Sequence, residues 1–80
     1  MKKEYNEEDI IFQQAEGDVI WFDSRIGTGM IDFPEHPNCF FHYSELQMIG
    51  RKAVTAGDTV KFDVVRTPKG LVAINILRIK

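Results

Sequence analysis

The sequence predicts an all-β protein, a small five-stranded antiparallel barrel with a short N-terminal extension. Three observations carry that prediction. Five short segments are rich in β-branched and aromatic residues. Turn-forming clusters of Gly, Pro, Asn and Asp separate them. No central stretch shows a convincing helical period, and closing such a sheet on itself removes its exposed edges. Eighty residues make one small domain with a limited core.

The elements follow in order. Residues 1–16, MKKEYNEEDIIFQQAE, form an acidic extension, with Glu4, Glu7, Glu8, Asp9 and Glu16 against Lys2 and Lys3. Its apolar knot Ile10-Ile11-Phe12 admits a short helix, an added strand or a partly ordered tail, and the first residues are expected to fray. The barrel domain is assigned to residues 17–80. Its first strand is DVIWFDS, Asp18–Ser24, and its second is TGMIDF, Thr28–Phe33. Gly29 inside the second strand marks a bulge or a close backbone approach. PEHPN, Pro34–Asn38, is a turn, and CFFHY, Cys39–Tyr43, is the third strand. Residues Ser44–Thr55 lack a clean period and read as a loop with one helical turn. After a turn at Ala56–Asp58, Thr59–Arg66 is the fourth strand, Thr67–Gly70 a hairpin turn, and Leu71–Lys80 the fifth strand.

Side chains alternate across a strand. Cys39 and Phe41 suit the interior, so Phe40 and His42 are expected to face out. On the second strand Met30 shares a face with Thr28, opposite Gly29 and Ile31. On the first strand Val19 and Trp21 share one face, and Ile20 and Phe22 the other. Both of those faces are apolar, whereas a barrel strand needs one. The surplus predicts an exposed aromatic patch, which is the usual mark of an interaction surface.

Composition excludes several function classes. A net charge of -2 does not suit a binder that relies on a strongly basic surface, although it leaves room for one that stacks bases. A single cysteine and no signal peptide indicate a reducing, cytoplasmic setting without a disulfide framework. No apolar run is long enough for a membrane-spanning helix. His36, Cys39 and His42 lack an evident fourth zinc ligand, and on a strand Cys39 and His42 face opposite ways. No histidine has an obvious nucleophile partner, and Gly27 with Gly29 lacks the strand–helix context of a phosphate loop. No enzymatic activity and no cofactor are predicted.

From Gly17 onward the chain resembles a cold-shock domain, a barrel of the OB-fold type. GDVIWFDSRIGTGMI resembles the opening strand pair of that family. CFFHYSEL resembles its second RNA-binding motif, Phe-x-His-x-Ser, with Phe40, His42 and Ser44 in place. The likeness continues through AGDTVKFDV to KGLVAINI, about four-fifths of the chain. It implies non-catalytic binding of single-stranded RNA or DNA, and RNA-chaperone, transcription- or translation-regulating work in stress response. By position it implies Trp21, Phe40, His42 and Tyr43 as stacking residues and Lys69 as a basic contact.

The chain also departs from the family. Where the first RNA-binding motif reads Lys-Gly-Phe-Gly-Phe-Ile, this chain reads IGTGMI: Ile26 replaces the lysine, and Thr28 and Met30 replace two phenylalanines. Ile20 replaces the lysine before the tryptophan, and Arg51 replaces an aromatic. Arg51 can still stack on a base or pair with phosphate, and Met30 can serve as a supporting contact. The expected nucleic-acid-binding set is therefore Trp21, Met30, Phe40, His42, Tyr43, Arg51 and Lys69. The alternative is a protein-interaction module using the same face, because apolar residues in place of basic ones suit a protein partner better than a polyanion. The expected state is a monomer or weak homodimer. One further reading lays the acidic extension over the binding face, with Glu7, Glu8 and Asp9 meeting Lys69 or Arg51.

Overall fold

The computed structural model describes residues 9–47 and 53–79. Five strands, β1 (Ile10–Asp23), β2 (Thr28–Ile31), β3 (Cys39–His42), β4 (Thr59–Thr67) and β5 (Gly70–Arg78), close into a barrel in the order β1-β2-β3-β5-β4. The chain is all-β with OB-type topology, as the sequence predicts. The neighbouring pairs are antiparallel except β3 and β5, which run parallel with Phe40 opposite Val72 and shut the barrel. β3 ends at His42, one residue before the predicted strand end, and a short 3-10 turn, Tyr43–Glu45, carries Tyr43 into the segment read as a loop with one helical turn. Among the described residues no helix is long and apolar enough to cross a membrane.

The first strand is longer than predicted. It begins at Ile10 rather than Asp18, so the described part of the extension takes the added-strand form. Residues 10–18 of β1 pair with β4, and residues 19–23 pair with β2. The junction with β4 is irregular. Between Phe12 and Ala15 the register shifts, and Gln14 takes a φ of 56°. Its amide donates to Asp63 Oδ1 at 2.9 Å, so a carboxylate takes up the donor that the bulge displaces. Asp63 Oδ2 also accepts from Asn75 Nδ2 at 3.2 Å, and the Asn75 amide donates to Glu45 Oε1 at 3.1 Å. Asn75 sits at a second register shift with φ 52°, a conformation asparagine tolerates better than most residues.

The core lies inside the barrel around Val19, Ile31, Phe41, Leu46, Phe62 and Ile76. At one end Phe33 packs edge-to-face on Phe62 at 5.8 Å and on Phe12 at 5.3 Å. His36 lies flat on Phe33 at 4.2 Å. Phe12, from the extension, thereby covers that end of the core.

The expected faces of β2 and β3 are observed. Gly29, Ile31, Cys39 and Phe41 are buried, and Phe40 and His42 are exposed. The pairing of faces on β1 is different from expectation. Val19 lies opposite Ile31 and Trp21 opposite Met30, so β1 carries one extra residue at Ile20. This bulge breaks the alternation. Val19 is buried and Phe22 packs against the core, while Ile20 and Trp21 are both exposed. Trp21 therefore does not share the face of Val19.

Gly29 stands between Phe22 and Phe41 in the inward row, and these two rings stack across it at 5.8 Å and 9°. A Cβ at Gly29 would lie 2.5 Å from Phe41 Cζ and 2.6 Å from the Trp21 carbonyl oxygen. Gly29→Ala should therefore destabilise the barrel by about 1–3 kcal/mol, the usual cost of overpacking. Urea denaturation followed by tryptophan fluorescence measures it, and an unchanged midpoint would show that the wall has slack.

Candidate nucleic-acid interface

The outward side chains form a row across the barrel wall. Register places Trp21 opposite Met30, Met30 opposite Phe40, and Phe40 opposite Val72. Trp21 is 40% exposed and Phe40 43%, with Met30 half-buried between them. Directly opposed side chains on one face stand about 4.5–5.5 Å apart. The two rings and the thioether thus make one continuous apolar surface. The same line of register runs on from Val72 to Val65 on β4, which is fully buried, and then to Ile10 on β1.

A second row lies beside the first, with Asp23, Thr28 and His42 in register. His42 is fixed by its own neighbours. Its Nδ1 accepts the Ser44 amide at 3.1 Å and lies 2.9 Å from the Ser44 hydroxyl. In the neutral ring the proton then sits on Nε2, which leaves a donor available to a ligand. Tyr43 follows in the 3-10 turn, 45% exposed, with its ring 4.6 Å from that of His42. The Tyr43 amide donates to the Gly27 carbonyl at 2.8 Å. Gly27 has φ 73°, and a Cβ there would meet the Tyr43 ring at 2.8 Å, so glycine is what lets the ring lie close.

Trp21, Met30, Phe40, His42 and Tyr43 are therefore brought together on one side of the barrel. Lys69 is set apart, in the turn of the β4–β5 hairpin, three residues before Val72. Its amide donates to Thr67 Oγ1 at 3.1 Å, and the residue is exposed. Arg51 lies outside the described residues. Val72 was not singled out from the sequence, although the alternation of LVAINI around the buried Ala73 marks it as outward. Thr28 was read as sharing a face with Met30 and as replacing a ring, not as a site residue.

The electrostatics of this side are sparse. The Arg25 guanidinium pairs with Asp23 at 3.2 Å and holds the Asp23 carboxyl below its ordinary range. Arg25 is thus already engaged. Arg78 lies 3.7 Å from Asp58. Arg66 and Lys69, at the hairpin end, enter no ion pair among the described residues. Beside the rings, Ile20 and Ile26 are exposed, at 42% and 62%.

The 'Cold-shock' DNA-binding domain family model matches residues 15–79. This chain belongs to the cold-shock domain family. It is 33% identical to the cold shock-like protein CspC of Bacillus cereus over 64 residues, covering 80% of this chain and 98% of that protein. It is 35% identical over 65 residues to the major cold shock protein of Streptococcus pyogenes serotype M6, covering 81% and 97%. A solved structure, drosophila Unr CSD456, superposes with a TM-score of 0.70 at 24% identity over 88% of this chain. The chain spans 28% of the length of that structure, and the likeness shows the fold. Membership of the family supports nucleic-acid binding as the general function of this cold-shock domain.

Behind the exposed row Cys39 is fully buried, and burial pushes its thiol up to about 11 from an ordinary value of 9.0. A buried thiol of this kind is inert. Between these two values the native state keeps a proton that the unfolded state loses, so raising the pH favours unfolding. The stability Cys39 contributes is present below about 9 and is lost as the pH rises toward about 11. Denaturant midpoints at pH 8 and 10.5 should drop further in the wild type than in Cys39→Ala. Equal drops would place the alkaline sensitivity elsewhere.

Proposed function

We propose that this cold-shock domain binds single-stranded RNA or DNA without catalysis, by stacking bases on Trp21, Phe40, His42 and Tyr43. Met30 supports the row, and Lys69 with Arg51 supplies phosphate or stacking contacts. In the cell this is the work of an RNA chaperone or a regulator of transcription or translation, in the cytoplasm, as a monomer or weak homodimer. The observation that carries the reading is the register row of Trp21, Met30 and Phe40 on the outside of a closed barrel. A barrel whose core is complete without them has no structural need to expose such rings. Stacking on such rings tolerates different bases, because every base has a π face.

A second reading, a protein-interaction module using the same face, has its own support. Ile20 and Ile26 extend the exposed apolar area, and Arg25 is tied to Asp23. Salt separates the two readings, since phosphate contacts to single strands weaken with a slope of about -0.7 per contact. Two to three cations then give a slope of about -1.4 to -2.1.

Trp21 is the single tryptophan, so its fluorescence reports directly on the row. Titration with a short oligo-dT and its RNA counterpart should quench it. Phe40→Ala should weaken binding by about 5- to 150-fold, the equivalent of about 1–3 kcal/mol of stacking. No quenching at low salt with either strand would sink the nucleic-acid reading and favour a protein partner.

A further inference from the structure

The turn that carries Tyr43 is anchored at both of its ends. At the near end the Tyr43 amide donates to the Gly27 carbonyl at 2.8 Å, and the Ser44 amide donates to His42 Nδ1 at 3.1 Å. At the far end the anchor is β5. Glu45 Oε1 accepts the Asn75 amide at 3.1 Å, and Gln47 Nε2 donates to Asn75 Oδ1 at 3.2 Å. Between these two bonds Leu46 bridges to Ile76, and the Gln47 amide donates to the Ile76 carbonyl at 2.7 Å. The Tyr43 hydroxyl enters no hydrogen bond among the described residues, so the turn itself sets where the exposed ring lies.

Asn75 meets Glu45 because β5 is irregular at this point. Asp63 lies opposite Ile74 and Lys61 opposite Leu77, so β5 has one residue more than β4 over the span. Asn75 takes a φ of 52°, a left-handed conformation that few non-glycine residues adopt. Its side chain is oriented in turn by Asp63, whose Oδ2 accepts from Asn75 Nδ2 at 3.2 Å. Asn75, Glu45 and Asp63 are all half-buried, where water competes less for such bonds. The bond from the Asn75 amide to the Glu45 carboxylate is charge-assisted and among the stronger kinds. Residues held in a rare backbone conformation by their surroundings gather at functional sites. This one holds the turn that presents Tyr43.

We propose that Glu45 and Asn75 are positioning residues of the stacking face. Glu45 fixes the far end of the turn on β5, and the turn sets the Tyr43 ring and, through Ser44, the imidazole of His42. Neither Glu45 nor Asn75 needs to touch a base. The assignment rests on the nucleic-acid reading above and adds to it the residues that hold one part of the face in place.

The test titrates the full chain with oligo-dT by Trp21 fluorescence and compares wild type with Glu45→Ala, Glu45→Gln, Tyr43→Ala and the double variant. Glu45→Ala should bind about two- to thirtyfold more weakly, the span of coupling carried by neighbours in one network. The direction is diagnostic. A carboxylate acting only by its charge repels a polyanion, and its removal would strengthen binding. Glu45→Gln keeps an oxygen acceptor for the Asn75 amide and should bind much as wild type does. In the Tyr43→Ala background Glu45→Ala should cost little further affinity, whereas a loss of stability alone would act equally in both backgrounds. Proton NMR of Glu45→Ala should show the Tyr43 ring resonances moved and the Trp21 indole signal in place, on protein that melts cooperatively. Unmoved Tyr43 resonances, or equal or tighter binding by Glu45→Ala, would overturn the assignment while leaving the nucleic-acid reading standing. Absence of quenching in the wild type would overturn both.

Discussion

Phe22 and Phe41 lie parallel across the place where Gly29 has no side chain, and the rest of the wall depends on that contact. The three residues belong to three adjacent strands, so the contact fixes β1, β2 and β3 to one another at a single height. For Phe22 to reach it, β1 must turn a residue out of phase after Val19, and the bulge at Ile20 does so. Turning Phe22 inward puts Trp21 outward, opposite Met30 and in line with Phe40. The interior stack and the exterior row are two sides of one arrangement. A change that loosened the inner rings would also spoil the alignment of the outer ones, without touching any residue that meets a ligand.

The parts of this protein that were legible in the sequence are those governed by local alternation and turn chemistry. The faces of β2 and β3 follow from a period of two, which placed Phe40 and His42 outside, Phe41 inside, and Met30 on the face opposite Gly29 and Ile31. The exposure of Trp21 was expected from the excess of apolar residues in its strand, but its partners in orientation were not. No residue type announces the bulge at Ile20, which shows only in the register of β1 against β2. The length of β1 was hidden for a related reason. Ile10 and Phe12 become strand only through β4, more than fifty positions later in the chain. Phe12 then meets Phe33 and His36 from the β2–β3 connection, a contact no spacing rule foresees. The parallel seam between β3 and β5 is likewise a property of the closed barrel.

The exposed face combines rings with few available charges. Arg25, which lies in the turn beside the row, is held by Asp23 within its own turn. Arg66 and Lys69, which enter no ion pair among the described residues, sit toward the hairpin tip, beyond Val72. On the proposed reading, a ligand at the centre of the face would meet surfaces that pack, and attraction over distance would come from the margin. His42 adds one directional element, since Ser44 orients its ring and assigns its Nδ1 as an acceptor. The Ser44 amide, a backbone group, thereby decides which edge of the imidazole is presented.

The sharing of β1 between two neighbours has a consequence for synthesis. Its later half needs β2, which follows at once, but its earlier half needs β4, which begins at Thr59. At about 5–20 residues per second, the ribosome makes that partner only seconds after β1 has appeared. During this interval Ile10, Phe12 and Ala15 have no strand to lie against, and a β-meander of β1 to β3 can form only half of its first strand's pairings. The parallel seam needs β5, which is made later still. Closure is therefore a late and concerted event, and the apolar start of β1 is the stretch a chaperone would meet on the nascent chain.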